Sequence, residues 1–182
     1  MNSIKKTNNQ NFPFEWVNIE NLQESNAEKK EIYLIEHENI CEDLILLFYS
    51  LFGSLKDNIL IYNSSWWDFC LDTWNPNKEE SDYGIESKSE ESINYLKLLE
   101  NAKIETGYSG SCKCMNWDTF LPIILRCIVN QQAPYSPIFY NEENDFLFYF
   151  HYSGSIGFYY YKKNEVVEQI IKTAQIEYNV VA

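Results

Sequence analysis

The chain has 182 residues, of which 45% are hydrophobic and 16% aromatic, and its formal net charge is −13. This length and apolar content suffice for one domain with a sizeable core and exclude an intrinsically disordered chain. Arginine is the usual residue for recognising phosphate groups, and Arg126 is the only arginine in the sequence. The excess of 27 acids over 14 bases therefore argues against nucleic acid as a partner.

The cysteines and the start of the sequence indicate the compartment. Cys41, Cys70 and Cys127 lie in apolar or aromatic runs, as free buried thiols do in a reducing environment. No apolar run reaches the length of about eighteen residues that a membrane span needs. The polar opening MNSIKKTNNQNFPFEW is unlike a secretory signal. We therefore expect a cytoplasmic protein, and the wealth of Asn, Ile, Lys and Tyr is typical of an AT-rich, bacterial genome.

The first third of the chain predicts a flexible start over residues 1–12 and a short strand over Phe14–Ile19. Residues Ile32–Ile35 form a second strand-like run, since β-branched and aromatic side chains favour strands. From Glu38 to Phe52 apolar residues recur at spacings of three and four, which predicts an amphipathic helix. Asn58–Tyr62 reads as a buried strand.

The middle of the chain alternates turn formers with periodic segments. It first predicts a short helix within Asn63–Leu71, capped by Ser64 or Ser65, and a long acidic loop over 72–88. A helix from Ser89 to Ala102, a strand over Lys103–Tyr108, a loop over 109–114 and a helix from Asp118 or Thr119 to Asn130 follow. Pro122 places the start of the last helix, because proline is well tolerated only in the first turn.

The last third predicts a β-hairpin, with strands at Asp145–Tyr152 and Ser155–Tyr161 joined by Ser153-Gly154, and then a helix capped by Asn164. A two-residue turn puts His151 opposite Ile156 and Phe150 opposite Gly157, where the glycine leaves room for the ring. Both faces then carry aromatic residues: Phe146, Phe148, Phe150, Tyr152, Tyr159 and Tyr161 on one, and Leu147, Tyr149, His151, Ile156, Phe158 and Tyr160 on the other. Either helices cover both faces, or one face is a binding surface.

Together these elements predict a single α+β domain over residues 1–182, with an antiparallel sheet, a C-terminal aromatic β-hairpin and about four helices packed on them. No internal repeat or linker divides the sequence.

No motif for catalysis, metal or cofactor binding stands out. The pair Cys112-Lys113-Cys114 is one residue too short for a zinc-binding pair and has no second pair. The only histidines, His37 and His151, are isolated, and the glycine-rich phosphate loops are missing. We predict no catalytic residue, metal or cofactor. Two alternatives stay open: an enzyme with a carboxylate- or cysteine-based site, and a module whose aromatic sheet encloses a small apolar ligand.

Acidic and aromatic side chains are concentrated between residues 66 and 86. Protein interfaces often combine aromatic anchors with a charged rim, so we predict partner binding here. The alternative is that the tryptophans belong to the core and the acids face solvent. The residues concerned are Trp66, Trp67, Asp68, Asp72, Trp74, Glu79, Glu80, Asp82, Tyr83 and Glu86, with Glu142, Glu143 and Asp145 as a second patch.

The stretch Ala133–Tyr178, centred on the sequence FYFHYSGSIGFYY at 148–160, resembles small acidic bacterial immunity proteins, which neutralise toxins of polymorphic or contact-dependent systems. The resemblance implies a cytosolic inhibitor that binds one cognate toxin domain and covers its active site with acidic and aromatic residues. It assigns no role to any single residue. With the net charge, it predicts a basic toxin domain, such as a nuclease, as the partner, and neither nucleic acid nor a membrane.

Overall fold

An antiparallel sheet of eight strands, a separate two-stranded hairpin and four α-helices make up the fold in the computed structural model, which describes residues 2–182. The strands of the large sheet are β1 (Ile4–Lys6), β2 (Glu28–Tyr33), β3 (Leu60–Asn63), β6 (Gly110–Cys114), β7 (Ile138–Asn141), β8 (Phe146–His151), β9 (Ser155–Tyr160) and β10 (Asn179–Val181), and β4 (Trp74–Asn75) with β5 (Glu80–Ser81) forms a separate two-stranded hairpin. The helices are α1 (Ile40–Phe52), α2 (Glu90–Asn101), α3 (Trp117–Val129) and α4 (Glu165–Glu177). The predicted α+β class is confirmed.

The strand order in the large sheet is β1-β6-β3-β7-β8-β9-β2-β10. The long aromatic strands β7, β8 and β9 lie in the middle, and short strands at both chain ends form the edges. Ile4–Lys6 pairs with Cys112–Cys114, so the stretch predicted to be flexible over residues 1–12 contains an edge strand; Met1 lies outside the described residues. Short edge strands limit unwanted pairing with other chains.

Each helix begins at a polar cap. Asn39, Ser89, Asn116 and Asn164 accept a hydrogen bond from a backbone amide inside the first turn, as such caps do. The predicted caps Ser89 and Asn164 are confirmed. The prediction for Pro122 is wrong, because α3 starts at residue 117 and the proline lies in its second turn.

Several irregular segments differ from their predictions. Residues 14–19 and 103–108 are not strands but turns and irregular chain, and neither Ser64 nor Ser65 caps a helix. The next helical turn along the chain is a 3₁₀ turn at Leu71–Thr73. Residues 110–114 form a central strand where a loop was predicted. Cys112 and Cys114 point from that strand into the core, and burial raises the pKa of both thiols to about 12. The glycine and serine residues are typical of loops, but a largely buried strand also tolerates small residues where a neighbouring segment packs closely on it.

The register of the aromatic hairpin differs by one residue from the prediction. His151 pairs with Ser155 and Tyr149 with Gly157, because the loop has three residues, 152–154, and not two. Gly154 closes this loop with a φ of +93°, a conformation that suits glycine. A slip of one residue exchanges the two faces of a strand. The ring over Gly157 is therefore that of Tyr149: a Cβ on the glycine would lie 2.4 Å from its Cζ.

The corrected register separates two layers of core. One face of the sheet carries Phe146, Phe148, Phe150, Ile156, Phe158 and Tyr160, which pack against residues of all four helices. The other face, which we call the outer face, carries Tyr62, Ile138, Tyr140, Leu147, Tyr149 and Tyr159. None of the four α-helices in residues 2–182 covers the outer face. The irregular segment 12–27, which we call the strap, packs on it through Phe12, Phe14, Trp16, Val17, Leu22 and Ala27.

Candidate functional site

The acidic segment, defined here as residues 68–86, leaves the sheet at the end of β3 and forms a small projecting hairpin. Trp74 pairs with Ser81 and Asn75 with Glu80, and the amide of Asp82 donates to the carbonyl of Thr73 at 2.7 Å. Six acids and one base, Lys78, lie within the segment. The loop predicted over 72–88 thus has an ordered core that fixes the direction of its side chains.

Asp68 holds this segment together. Its carboxylate accepts hydrogen bonds from the hydroxyls of Ser65, Ser81 and Tyr83, at 2.7, 2.9 and 2.8 Å. Partial burial of the group works in the opposite direction, but these hydrogen bonds outweigh it and lower the pKa of Asp68 below its ordinary value. Asp68 is therefore charged at neutral pH, and its main contacts are within the protein.

Asp72 is also engaged internally. Its Oδ2 accepts from the amide of Ser89 at 2.9 Å, and its backbone carbonyl accepts from the ammonium of Lys88 at 3.0 Å. The acidic segment is thereby fastened to the start of α2. Tyr83 packs edge-on against Trp67. Of the residues predicted to bind a partner, Asp68, Asp72 and Tyr83 therefore serve to hold the acidic segment in its conformation.

The expectation that Trp66 and Trp67 lie exposed beside these acids is wrong. Trp66 is fully buried and Trp67 nearly so. The indole of Trp66 donates to the carbonyl of Gly110 at 2.9 Å, and that of Trp67 donates to the carbonyl of Ile104 at 3.0 Å. Both rings therefore anchor the segment in the helix-covered core, where their N–H groups have found backbone partners.

What the acidic segment presents to solvent is a different set of side chains. Leu71, Trp74 and Ile85 are 56%, 54% and 47% exposed. The carboxylates of Glu79, Glu80, Asp82 and Glu86 are exposed, and that of Asp68 is exposed as well but is held by its three hydroxyl donors. Leu71 and Ile85 were not predicted as part of this surface. The signal that could have identified them is that each is a large apolar residue isolated in a polar, turn-rich stretch.

The second predicted patch lies elsewhere. Glu142, Glu143 and Asp145 are exposed in the turn from β7 to β8. In the pairing of β3 with β7, this turn adjoins the beginning of β3, and the side chain of Asn58 donates to Glu143 at 3.1 Å. The acidic segment follows the opposite end of β3. The two acidic patches are therefore at opposite ends of the strands and do not form one surface.

The outer face contains a cavity of about 480 Å³ between the strap and the sheet. Its wall combines four tyrosines, Tyr62, Tyr135, Tyr149 and Tyr159, with strap residues 19–23 and Asn63. A second cavity of about 410 Å³ shares Leu22, Tyr135, Ser136 and Tyr149 with the first and reaches Leu71. Sizes of this order are typical of small-molecule sites. In the sequence, the aromatic residues at every second position, Phe12, Phe14 and Trp16, were the available signal that this segment packs along a sheet.

Among residues 2–182, the possible nucleophiles, bases and orienting groups do not form one hydrogen-bonded catalytic site. His151 contacts the hydroxyl of Ser153 at 2.6 Å, and His37 contacts the carboxylate of Asp43 at 2.9 Å. A triad needs nucleophile, base and orienting group in one chain of hydrogen bonds. The Sγ atoms of Cys70 and Cys127 lie 3.9 Å apart in the core. No group of three or more potential metal ligands occurs in the described part of the chain.

Comparisons with protein-family models, with curated proteins and with solved structures gave no match to this chain. Within residues 2–182, none of the helices has the length and apolar character needed to cross a membrane.

Proposed function

We propose that this protein is a cytosolic immunity protein that neutralises a basic bacterial toxin domain by binding it through the acidic segment. The observation that carries the proposal is the exposure of Leu71, Trp74 and Ile85 together with the carboxylates of Glu79, Glu80, Asp82 and Glu86 within the acidic segment, around its hairpin. Single exposed apolar residues are common on proteins, but three within one short segment are a typical composition for an interface.

The chemistry of this surface suits a cationic partner. Aromatic anchors such as Trp74 give interfaces most of their affinity, and a surrounding rim of charge accelerates the encounter. Because Asp68 and Asp72 hold the hairpin in place, little ordering is needed when a partner binds, which favours affinity. The acidic carboxylates would stand in for the phosphates of a nuclease substrate.

The first experiment uses the protein encoded directly upstream of this gene in the source genome. Co-expression should rescue cells from its toxicity, and the purified pair should associate at a rate that falls steeply as salt is added. The proposal fails if that protein is harmless and does not bind, or if the association rate is indifferent to ionic strength.

A charge-neutralising variant tests the location of the interface. Glu79→Gln, Glu80→Gln and Asp82→Asn together should slow association about tenfold, because they remove three rim charges and keep the shapes of the side chains. The matched control combines Glu15→Gln, Glu36→Gln and Glu38→Gln, which neutralises three exposed acids outside the segment. Equal slowing by both triple variants would show that net charge, and not this surface, governs the encounter.

Trp74→Ala tests the anchor. A central interface tryptophan contributes at least about 2 kcal/mol to affinity, so the variant should dissociate about thirty times faster or more. Ile176→Ala, at an even more exposed apolar side chain on α4, is the control and should leave dissociation unchanged. Tight binding that survives Trp74→Ala would place the interface elsewhere.

A further inference from the structure

A groove lined by tyrosine residues lies beside the acidic segment at one end of the sheet. Strands β3 and β8 each pair antiparallel with β7, so they run in the same direction and end together. The acidic segment follows β3, and the loop 152–154 follows β8. The two cavities lined by the strap and the tyrosines lie at this end and share Leu22, Tyr135, Ser136 and Tyr149. We call the joined cavities the tyrosine groove.

The tyrosine groove continues the exposed apolar surface of the acidic segment. Leu71 belongs to that segment and also lines the groove. Tyr152 and Tyr135, which are 50% and 43% exposed, line the groove beyond it. Exposed aromatic rings that adjoin an exposed apolar patch are typical of a protein-binding surface. A partner that contacts the acidic segment therefore lies next to the groove.

The charges around the tyrosine groove favour a cation. Among residues 2–182, neither a lysine nor an arginine lines the groove, and Glu20 supplies a carboxylate from the strap. A second carboxylate is close by, because burial, followed by the charge of Asp68, raises the pKa of Tyr135. The net charge of −13 adds a long-range attraction for the same sign of charge. An anionic group would be repelled here.

The walls of the groove distinguish between kinds of cation. Tyr135, Tyr149 and Tyr152 contribute aromatic rings, and Leu22 and Leu71 contribute aliphatic side chains. A guanidinium group is planar, weakly hydrated and stacks on aromatic rings, whereas an ammonium group is compact and strongly hydrated. The aliphatic stem of an arginine side chain also packs on apolar residues. An arginine side chain therefore makes use of the rings, the leucines and the carboxylate of the lining together.

We propose that the tyrosine groove binds the guanidinium group of an arginine side chain. The guanidinium plane stacks on a tyrosine ring, the stem lies against Leu22 and Leu71, and the carboxylate of Glu20 balances the charge. The identity of the partner rests on the proposed function: the arginine belongs to the basic toxin domain, beside its contact with Trp74. The groove itself can be tested without the toxin.

The first test titrates the free protein with N-acetyl-arginine methylamide at constant ionic strength and follows the backbone amide signals by NMR. A compound of this size should bind with a dissociation constant of about 1–10 mM, and the signals of groove residues such as Gln131 and Tyr149 should move. The citrulline derivative keeps the planar shape without the charge, the lysine derivative keeps the charge without the plane, and the leucine derivative is only apolar. Each should bind at least about three times more weakly.

Two variants of the free protein locate the site. Tyr152→Leu removes an exposed ring and Glu20→Gln removes the carboxylate, so each should weaken binding of the arginine derivative about two- to fivefold. Glu15→Gln neutralises an exposed acid of the strap that does not line the groove, and it should bind as the unaltered protein does. Unchanged amide signals outside the groove verify that the variants keep the fold.

The second test uses the complex with the toxin domain. The double variant Tyr152→Leu with Glu20→Gln should make this complex dissociate about ten times faster, whereas Glu15→Gln should leave dissociation unchanged. If the protein encoded upstream does not bind at all, the proposed function fails, and the titration with the arginine derivative still decides whether the groove binds a guanidinium group.

Three results would overturn the proposal. One is that N-acetyl-arginine methylamide moves no signal of the groove. Another is that the citrulline, lysine or leucine derivative binds as tightly as the arginine derivative, which would mean that the groove does not recognise a guanidinium group. The last is a toxin complex whose dissociation is unchanged by the double variant, which would show that the toxin binds without placing an arginine in the groove.

Discussion

On the helix-covered face of the sheet, phenylalanine rings stack directly on one another, with the centroids of Phe52 and Phe148 3.9 Å apart and the rings nearly parallel. On the outer face, the same strands meet the strap, an irregular segment with a single turn of 3₁₀ helix at Leu22–Glu24. The helices present regular apolar faces that fit the sheet. The strap covers the sheet with six side chains and leaves the tyrosine-lined cavity beside them.

This difference in packing suggests that the two faces of the sheet contribute differently to the stability of the fold. Close-packed regular elements supply most of the stability of a fold, whereas loosely packed segments open locally at lower cost. Buried polar groups without a partner occur on both faces: the Trp16 indole and the Tyr159 hydroxyl lie on the strap side, and the Trp117 indole lies on the helix-covered side. We therefore expect substitutions on the helix-covered face to affect global unfolding, and substitutions on the outer face to act locally.

The largest contrast is expected between two neighbouring residues of β8. Phe148→Ala should lower the free energy of unfolding by about 3–5 kcal/mol, because it leaves a cavity under Phe52. Tyr149→Ala should cost only about 1–2 kcal/mol, since its ring is half-buried on the outer face. Urea denaturation of both variants measures the difference. Equal losses would mean that the two faces are equally well packed.

Phe14→Ala tests the strap itself. The ring stacks on Trp16 with centroids 4.9 Å apart and meets Tyr140 edge-on at 5.8 Å. Its removal should cost about 2–3 kcal/mol, less than a site under the helices, because irregular chain can settle into the space. Faster proteolysis confined to residues 12–27 is the expected signature. A global loss of protection in hydrogen exchange would contradict a local role.

Gly157→Ala should have a smaller effect of about 1 kcal/mol. The added methyl group would meet the Tyr149 ring, but that ring is half-buried and can turn away. Gly154→Ala is an informative companion, because there the added methyl would meet the His37 ring in a loop with positive φ. Thermal denaturation should therefore show a larger loss for Gly154→Ala. The reverse order would mean that Tyr149 is held rigidly.

These differences also explain which structural features could be predicted from the sequence and which could not. The helices were predictable, because apolar spacing and polar caps are local signals, and Ser89 and Asn164 cap the expected helices. The hairpin strands were predictable too, but their register was not. Whether the turn has two residues or three depends on the geometry at Gly154, and that single residue decides which rings of β9 face the helices.

The candidate surface was predictable in place but not in detail. The acids of the hairpin reach solvent as expected, yet Trp66 and Trp67 are buried and Trp74 alone is exposed. All three are tryptophans in similar polar surroundings, so only the tertiary contacts of Trp66 and Trp67 with distant carbonyls distinguish them. The cavity could not be predicted at all, because its wall combines the strap with strands far away along the chain.

The smallest expected effect distinguishes the two faces most sharply. Tyr159→Phe should leave the free energy of unfolding unchanged within about 0.5 kcal/mol or raise it slightly, because the lost hydroxyl has no hydrogen-bond partner. On the opposite face of the same strand, Tyr160→Phe should cost about 1 kcal/mol, since its hydroxyl donates to Glu28 at 2.8 Å. Paired urea denaturation curves measure both variants. If Tyr159→Phe is the more damaging change, the hydroxyl makes a stabilising hydrogen bond within the protein, and the neighbouring Tyr149 phenol is the candidate partner.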